Sequence, residues 1–291
     1  MWGRLPSVHA RSALFDLFGD HLRSRGGRAP VAALVRLLAP LGVTAPAVRT
    51  SISRMVRQGW LDRVRLDAGP GYALTRPARQ RLDDAATRIY RTREQPWDGG
   101  WDLLVLDPVP ARAARERVRS GLGFLGYAPI SDSTWISPFA SAEANGLLHD
   151  EGVGHARFSA RDDDPRARAA LAWDLEALAA SYTSWHAFAA DLVADPSRHL
   201  PGLPAAGGSR AGDDERAFAV RSLLVHEWRK FLFSDPGLPA ELLPADWPGD
   251  AAARFFADQA ARLLPAASRY VDRCLADPSP DPSTPSLRRS T

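Results

Sequence analysis

Within the first 75 residues the spacing of apolar side chains switches from a helical repeat to the alternation of a strand, and this order constrains the fold more than any other feature. Ser12–Arg23 carries Leu14, Phe15, Leu17, Phe18 and Leu22 at helical spacing, and Gly26-Gly27 stops it. A second helix opens at Pro30, runs through Val31, Leu34, Val35, Leu37 and Leu38, and breaks at Pro40 and Gly42. Thr44 is placed to cap a third helix, Ala45–Gln58, which Gly59 ends. Helix, glycine-containing break, helix is the order of a helix-turn-helix. Trp60–Leu66 and Gly71–Leu74, across Asp67-Ala68-Gly69-Pro70, then predict a hairpin, the position of a wing. Thr75 caps one more helix, through Leu82, Ala86 and Ile89-Tyr90.

The same segment is the basic one. Residues 1–95 hold 17 Arg against 7 Asp or Glu, a net of +10, whereas residues 96–291 hold 20 Lys or Arg against 27 acids, a net of −7. Such asymmetry points to a module that meets a polyanion, attached to a body that does not. At 100° per residue, Val48, Ile52, Met55 and Val56 share one side of the third helix, and Arg49, Thr50, Ser53, Arg54 and Arg57 fill an arc of about 140° on the other. Arg63 and Arg65 alternate onto one face of the wing. Arg binds phosphate or bridges guanine O6 and N7, and Ser and Thr reach either phosphate or base, so the expected partner is double-stranded DNA, with the helix in the major groove and the wing beside it. A solvated helix also shows a charged face, and winged helices also dock proteins. Clustered charge, the break before the third helix and the wing weigh together for DNA.

Beyond a polar linker, Arg91–Gly100, the order changes. Strand Trp101–Asp107, helix Ala111–Ser120, strands Leu122–Tyr127 and Ser133–Ser137 around a turn at Pro129–Asp132, helix Ala140–His149 and strand Gly154–Ser159 spell the β-α-β-β-α-β order of a ferredoxin-like domain. From Pro165 the chain is helical, with Leu171, Leu175, Leu178, Tyr182, Trp185, Ala189 and Leu192 in one stripe. A Gly- and Pro-rich stretch, Pro196–Gly212, reads as a mobile loop. It precedes a helix over Asp213–Phe233 and a last helical region, Ala251–Leu275, kinked or split at Pro265. The fold class is therefore α+β: a winged-helix domain over 1–95, a ferredoxin-like domain over 96–164, a helical C-terminal domain over 165–276 and a disordered tail over 277–291.

Several classes of function are disfavoured. No apolar run approaches the ~18–20 residues that span a bilayer, and the N-terminus lacks the pattern of a signal peptide. A single cysteine, Cys274, expected to be buried, excludes a disulfide scaffold and fits a reducing cytoplasm. No P-loop, dinucleotide fingerprint, zinc motif or GxSxG elbow is present, so no cofactor, metal or catalytic residue is expected. His149 and His155, six apart beside Asp150 and Glu151, suggest a metal by composition, but they straddle a glycine turn and read as polar side chains facing solvent.

The residues also carry a resemblance. SALFDLFGDHLRSRGG (Ser12–Gly27), LVRLLAPLGVTAPAVRTSISRMVRQGWL (Leu34–Leu61), YALTRPARQRL (Tyr72–Leu82), IYRTREQPWDGGWDLLVLD (Ile89–Asp107), STWISP (Ser133–Pro138) and RSLLVHEWRKFLFSDPGLPAELLPADWPG (Arg221–Gly249) resemble the PaaX family, bacterial repressors of phenylacetic acid degradation operons. The match is less clear over Ala160–Gly212. The resemblance implies a winged helix, a ferredoxin-like middle and a helical C-terminal domain. It also implies a homodimer on an operator, released by phenylacetyl-coenzyme A or a related aryl thioester, and no enzymatic activity. Such an effector needs cations for its phosphates and an apolar slot for its aryl group, and the C-terminal motif offers Arg221, His226, Arg229 and Lys230 beside Trp228 and Phe231. Ser222, His226 and Arg229 fall opposite the apolar side of that helix, where a solvated polar face with a satisfied histidine is the plainer reading. The alternative function is a metal-dependent nuclease: Asp107 ends the first strand of the middle domain, where nucleases of the CRISPR adaptation system, similar in element order, place a carboxylate. Asp107-Pro108 is also an ordinary strand-to-helix turn.

Overall fold

The computed structural model describes residues 8–89, 96–109 and 111–277. They fall into two compact units: one of residues 8–89, 184–228 and 254–277, the other of residues 96–109, 111–183 and 229–253. Residues 90–95 of the predicted linker and 278–291 of the predicted tail lie outside the described residues.

The first unit opens with α1 (Ala10–Asp16), which runs into a widened turn, Leu17–Leu22, and a tight one, Arg23–Arg25. Gly26 and Gly27 reverse the chain at φ of 82° and 65°, values that side chains with a Cβ rarely adopt. The strand β1 (Arg28–Pro30) follows, then α2 (Val31–Leu38). A 3-10 turn and Gly42 lead to Thr44, which occupies the cap position of α3 (Ala45–Arg57) but makes no capping hydrogen bond through its hydroxyl. The wing consists of β2 (Leu61–Leu66) and β3 (Gly69–Leu74), joined by Asp67-Ala68 alone, so its tip is two residues shorter than expected. The sheet order is β1-β3-β2, entirely antiparallel. β1 was not foreseen, because three residues ending in Pro show no period. Gly71 allows its approach: a Cβ there would stand 2.7 Å from the Ala29 carbonyl oxygen and 2.6 Å from Leu66 Cδ1. Thr75 opens α4 (Arg76–Ile89), accepting from the Ala78 N–H (3.3 Å) and donating to the Gly59 carbonyl (2.7 Å), which ties the end of the α3 region to the start of α4.

The second unit contains β4 (Trp101–Leu106), α5 (Arg112–Phe124), β5 (Ala128–Pro129), β6 (Thr134–Ser137), α6 (Ala142–Asp150) and β7 (His155–Ala160). All strand pairs are antiparallel in the order β5-β6-β4-β7, the ferredoxin-like arrangement. Leu104, Leu106 and Trp135 from the sheet meet Val118, Leu122, Ala144 and Leu148 from the helices in one core. Leu122–Tyr127, expected as a strand, is instead the last turn of α5 followed by a bend at Gly126 (φ 87°). The glycines that hid the helical repeat have a packing role, since a Cβ on Gly121 would stand 2.5 Å from Leu147 Cδ2 on α6. On the helix-covered face of the sheet, two residues before Leu104, Asp102 accepts from Tyr127 Oη (2.5 Å), Arg157 Nε (2.6 Å) and Arg157 Nη2 (3.0 Å). Burial and the Asp102 hydrogen bond push the Tyr127 hydroxyl up to about 12.

Next come α7 (Pro165–Ala172), α8 (Leu175–Ala194), α9 (Arg210–Trp228), α10 (Phe231–Ser234) and α11 (Pro248–Ala276). The chain breaks at Trp173-Asp174, so Leu171 leaves the predicted stripe at 79% exposure while Leu178, Tyr182, Trp185, Ala189 and Leu192 are buried. In the second unit Tyr182 stacks on Phe231 (4.0 Å between centroids), and its hydroxyl donates to Asp235. The stretch before α9 is irregular apart from one turn at Pro196–Arg198, and Leu200 within it is buried.

In the first unit, α9 ends at Trp228, five residues before its expected end, and every residue from Phe218 to Trp228 is buried. α11 passes through Pro265 unbroken, contrary to the expected split. Ala261 and Pro265 are exposed, so the carbonyl that proline leaves without a helical partner is within reach of water. Phe218, Ala267, Val271 and Cys274 from these helices belong to the same core as Leu14, Phe18, Leu34, Leu38, Ile52 and Met55 of the winged helix. Arg36 on α2 donates to the Cys274 and Asp277 carbonyls at the end of α11, where a cation favours the helix dipole.

Candidate nucleic-acid interface

The amphipathic reading of α3 is visible in its burial. Val48, Ile52 and Met55 are buried and Val56 packs against the same core, whereas Thr50, Ser53, Arg54 and Arg57 are exposed. Arg49 is half-buried and has a partner within the protein. In the wing, pairing sets Leu61 opposite Leu74, Arg63 opposite Tyr72 and Arg65 opposite Pro70. Leu61, Arg63 and Arg65 alternate onto one face, the face that turns Leu61 and Leu74 into the core below α3. Beyond the core that face is occupied by exposed arginines. Among the described residues, Arg54, Arg57, Arg63 and Arg65 make no ion pair. The wing root is fixed by Trp60, edge-on to Phe15 at 4.5 Å and covered by the Arg81 guanidinium at 5.3 Å.

A second polar cluster lies inside the same unit. Arg221 Nη2 is 2.6 Å from Asp20 Oδ1 and its Nη1 donates to the Ala260 carbonyl, while His226 Nδ1 is 2.6 Å from Asp16 Oδ2. The sequence suggested a solvated face with a satisfied histidine here. His226 does have a partner, but the solvation is corrected: Ser222 and His226 are buried, and the bases of α9 meet two carboxylates one helical turn apart at the start of the chain. Arg229 is half-buried and Lys230 exposed, both in the second unit. His21 was missed by sequence reasoning, although it follows Leu14 by seven residues and Leu17 by four, which puts a polar ring on the apolar side. Burial holds its pKa down to about 4, with Arg221 and Arg25 acting in the same direction and Asp20 opposing.

Three family models match in chain order: PaaX-like protein over residues 9–78, PaaX protein central Cas2-like domain over 94–172, and PaaX-like protein C-terminal domain over 173–273. The chain is also 32% identical over 272 residues to the Transcriptional repressor PaaX of Escherichia coli (strain K12), covering 91% of this chain and 83% of the relative. The chain belongs to the PaaX family. Among solved structures, Uncharacterized protein Rv0674 from Mycobacterium tuberculosis has a similar fold, with a TM-score of 0.60 and 23% identity over 91% of this chain and 98% of its own.

The PaaX match spans both described units. It assigns a Cas2-like domain to the antiparallel sheet of β4–β7. In that domain Asp107 is exposed, its N–H donates to the Gly154 carbonyl (2.8 Å), and its carboxylate closes over Gly154, as in a strand-to-helix turn. Among the described residues of this PaaX-family chain, no three His, Cys, Asp or Glu side chains are grouped to hold a metal. His155 Nε2 is 3.2 Å from Asn145 Oδ1, and His149 is exposed. No described helix is long and apolar enough to cross a membrane.

Proposed function

We propose that this chain is a DNA-binding transcriptional repressor of an aromatic-acid catabolic operon of the phenylacetate type. It binds its operator as a homodimer and leaves it when an aryl-coenzyme A thioester such as phenylacetyl-coenzyme A is bound. The observation that carries the DNA half is the exposed Thr50, Ser53, Arg54 and Arg57 face of α3 with Arg63 and Arg65 on the wing beside it, in a chain similar to a transcriptional repressor over most of its length. Arg49, half-buried at the inner margin of that arc, is assigned to the phosphate backbone of the DNA. A dimer would present two such surfaces to a two-fold operator. The work divides among a winged helix over 1–95, a ferredoxin-like domain over 96–164 and a helical domain over 165–276.

The effector half rests on family resemblance and on the cations of the C-terminal motif. Arg221 and His226 are bound to Asp20 and Asp16 in this state, and they stand with Arg229 and Lys230 as the candidates for the thioester's phosphates. Release requires only that the thioester bind the DNA-competent form less tightly than the released one. A gel-shift titration at fixed salt, against the DNA upstream of the chain's own gene, tests both halves. The expected result is a specific complex that phenylacetyl-coenzyme A dissolves. Binding indifferent to the thioester removes the effector, and no specific complex removes the repressor.

A further inference from the structure

The outward arc of α3 is not uniform. At 3.6 residues per turn, Thr50 and Arg57 point within about 20° of one another. Each stands about 140° or more from the buried Val48, Ile52 and Met55, so the two mark the outermost line of the helix. Exposed Pro46 lies about 30° from that line and Ser53 about 50°, on the same side. Arg49 and Arg54 fall on opposite flanks, about 140° apart. Arg49 is half-buried and held by a partner within the protein, whereas Arg54 is exposed.

The hydroxyl groups add an independent observation. A Ser or Thr inside a helix commonly donates to the carbonyl four residues back. Ser181 and Thr183 do so on α8, to the Ala177 (2.8 Å) and Ala179 (3.0 Å) carbonyls. Thr50 and Ser53 do not, and among the described residues neither hydroxyl has a partner. Pro46, in the first turn, presents an apolar ring without an N–H. Thr50 and Arg57 are seven residues apart, about 10 Å along the axis, which is the rise of three base-pair steps, and Ser53 stands between them.

We propose that α3 divides its polar face between two tasks: Thr50, Ser53 and Arg57 read base edges over three base-pair steps of a major groove, while Arg49 and Arg54 hold the phosphates on either side. Arg57 is the side chain on the outermost line able to bridge guanine O6 and N7, and the Thr50 methyl, with Pro46 one turn before it, meets a thymine methyl. The operator therefore carries a guanine and a thymine about three base pairs apart at each place where α3 docks. An arginine on a flank meets the wall of the groove before its floor, and the internal partner of Arg49 keeps its head at that margin. This inference rests on the DNA-binding reading and adds to it which bases the helix selects.

The test is selection of duplexes from a randomised library by the full chain. Anisotropy then gives Kd values at several salt concentrations for the selected operator and for single-base changes in it. The wild type is expected to select a guanine and a thymine at two fixed positions. Arg57→Lys keeps the charge but loses the planar fork. It is expected to lose roughly 5- to 150-fold of discrimination at the guanine, with the salt slope unchanged. Arg54→Lys is expected to keep the base preferences, and Arg54→Ala to weaken all sequences alike and lower the salt slope by about one. Replacing the selected thymine by uracil, which lacks the methyl, is expected to weaken wild-type binding but not that of Thr50→Ser. Arg57→Lys with its guanine preference intact, Arg54→Lys with altered base preferences, or a wild type indifferent to uracil overturns the division and leaves the DNA-binding reading standing. A wild type that selects no sequence overturns that reading, and the division with it. All the substituted side chains are exposed, so an unchanged thermal midpoint is expected in each variant.

Discussion

Arg221 and Asp20 meet at 2.6 Å across 201 residues of sequence, with side chains 5% and 7% exposed. Two buried charges gain little over an apolar pair of the same volume, yet removing one of them leaves the other stranded. Asp20→Ala is expected to cost about 3–5 kcal/mol, read as a fall in the urea midpoint, and Asp20→Leu with Arg221→Met is expected to recover most of it. A single variant as stable as the wild type would show that water already reaches the pair.

Arg54 projects from α3 into solvent, with its Cβ on the side away from the core. Arg54→Ala should therefore lower operator affinity by about 1–3 kcal/mol without moving the thermal midpoint, and Arg57→Ala should do the same if it also meets the duplex. If the lost contact is a phosphate, the slope of log affinity against log salt falls by about one. Full affinity in Arg54→Ala would remove that residue from the interface.

Gly71 lies where β1 crosses the wing, with no room for a Cβ against the Ala29 carbonyl. Backbone cannot give way as a side chain does, so Gly71→Ala is expected to part β1 from β3 and destabilise the first unit by about 1–3 kcal/mol. Thermal unfolding measures the loss, and hydrogen exchange at Tyr72 and Ala73 locates it. An unchanged midpoint would mean that the strand shifts freely.

Tyr127 ionises at about 12 in the folded protein against 10 in an unfolded chain. A pKa raised by folding favours the folded state below the unfolded value, and this contribution is lost as the pH climbs through the folded one. Stability is therefore expected to decline between pH 10 and 12, and Tyr127→Phe to give a shallower decline from a lower starting point. Urea denaturation along that range checks both, and identical limbs would acquit Tyr127.

The winged helix was readable because each of its breaks is marked by a glycine, at 26–27, 42 and 59, and each helix between them keeps its repeat. The exposed face of α3 was readable for the same reason. β1 was not, since its strand character comes from pairing with Ala73, Tyr72 and Gly71 and not from its own Arg-Ala-Pro. The C-terminal half of α9 was misread because its polar side mimics a solvated face. Its partners, Asp16 and Asp20, sit at the far end of the chain, and no local pattern carries that information. Only His21, a ring out of place among leucines, gave a signal within its own segment.

The shared core of the winged helix with α9 and α11 bears on how such a regulator can be dissected. Cutting the chain after the wing would turn Phe18, Leu34 and Leu38 toward water where Phe218 and Val271 now lie, and would strip two aspartates of their bases. The reading head is therefore not a portable cassette. A chimera that grafts it onto another sensor must bring the two distant helices along, and gene fusions that exchange heads alone would be weeded out as insoluble before operator choice came into play.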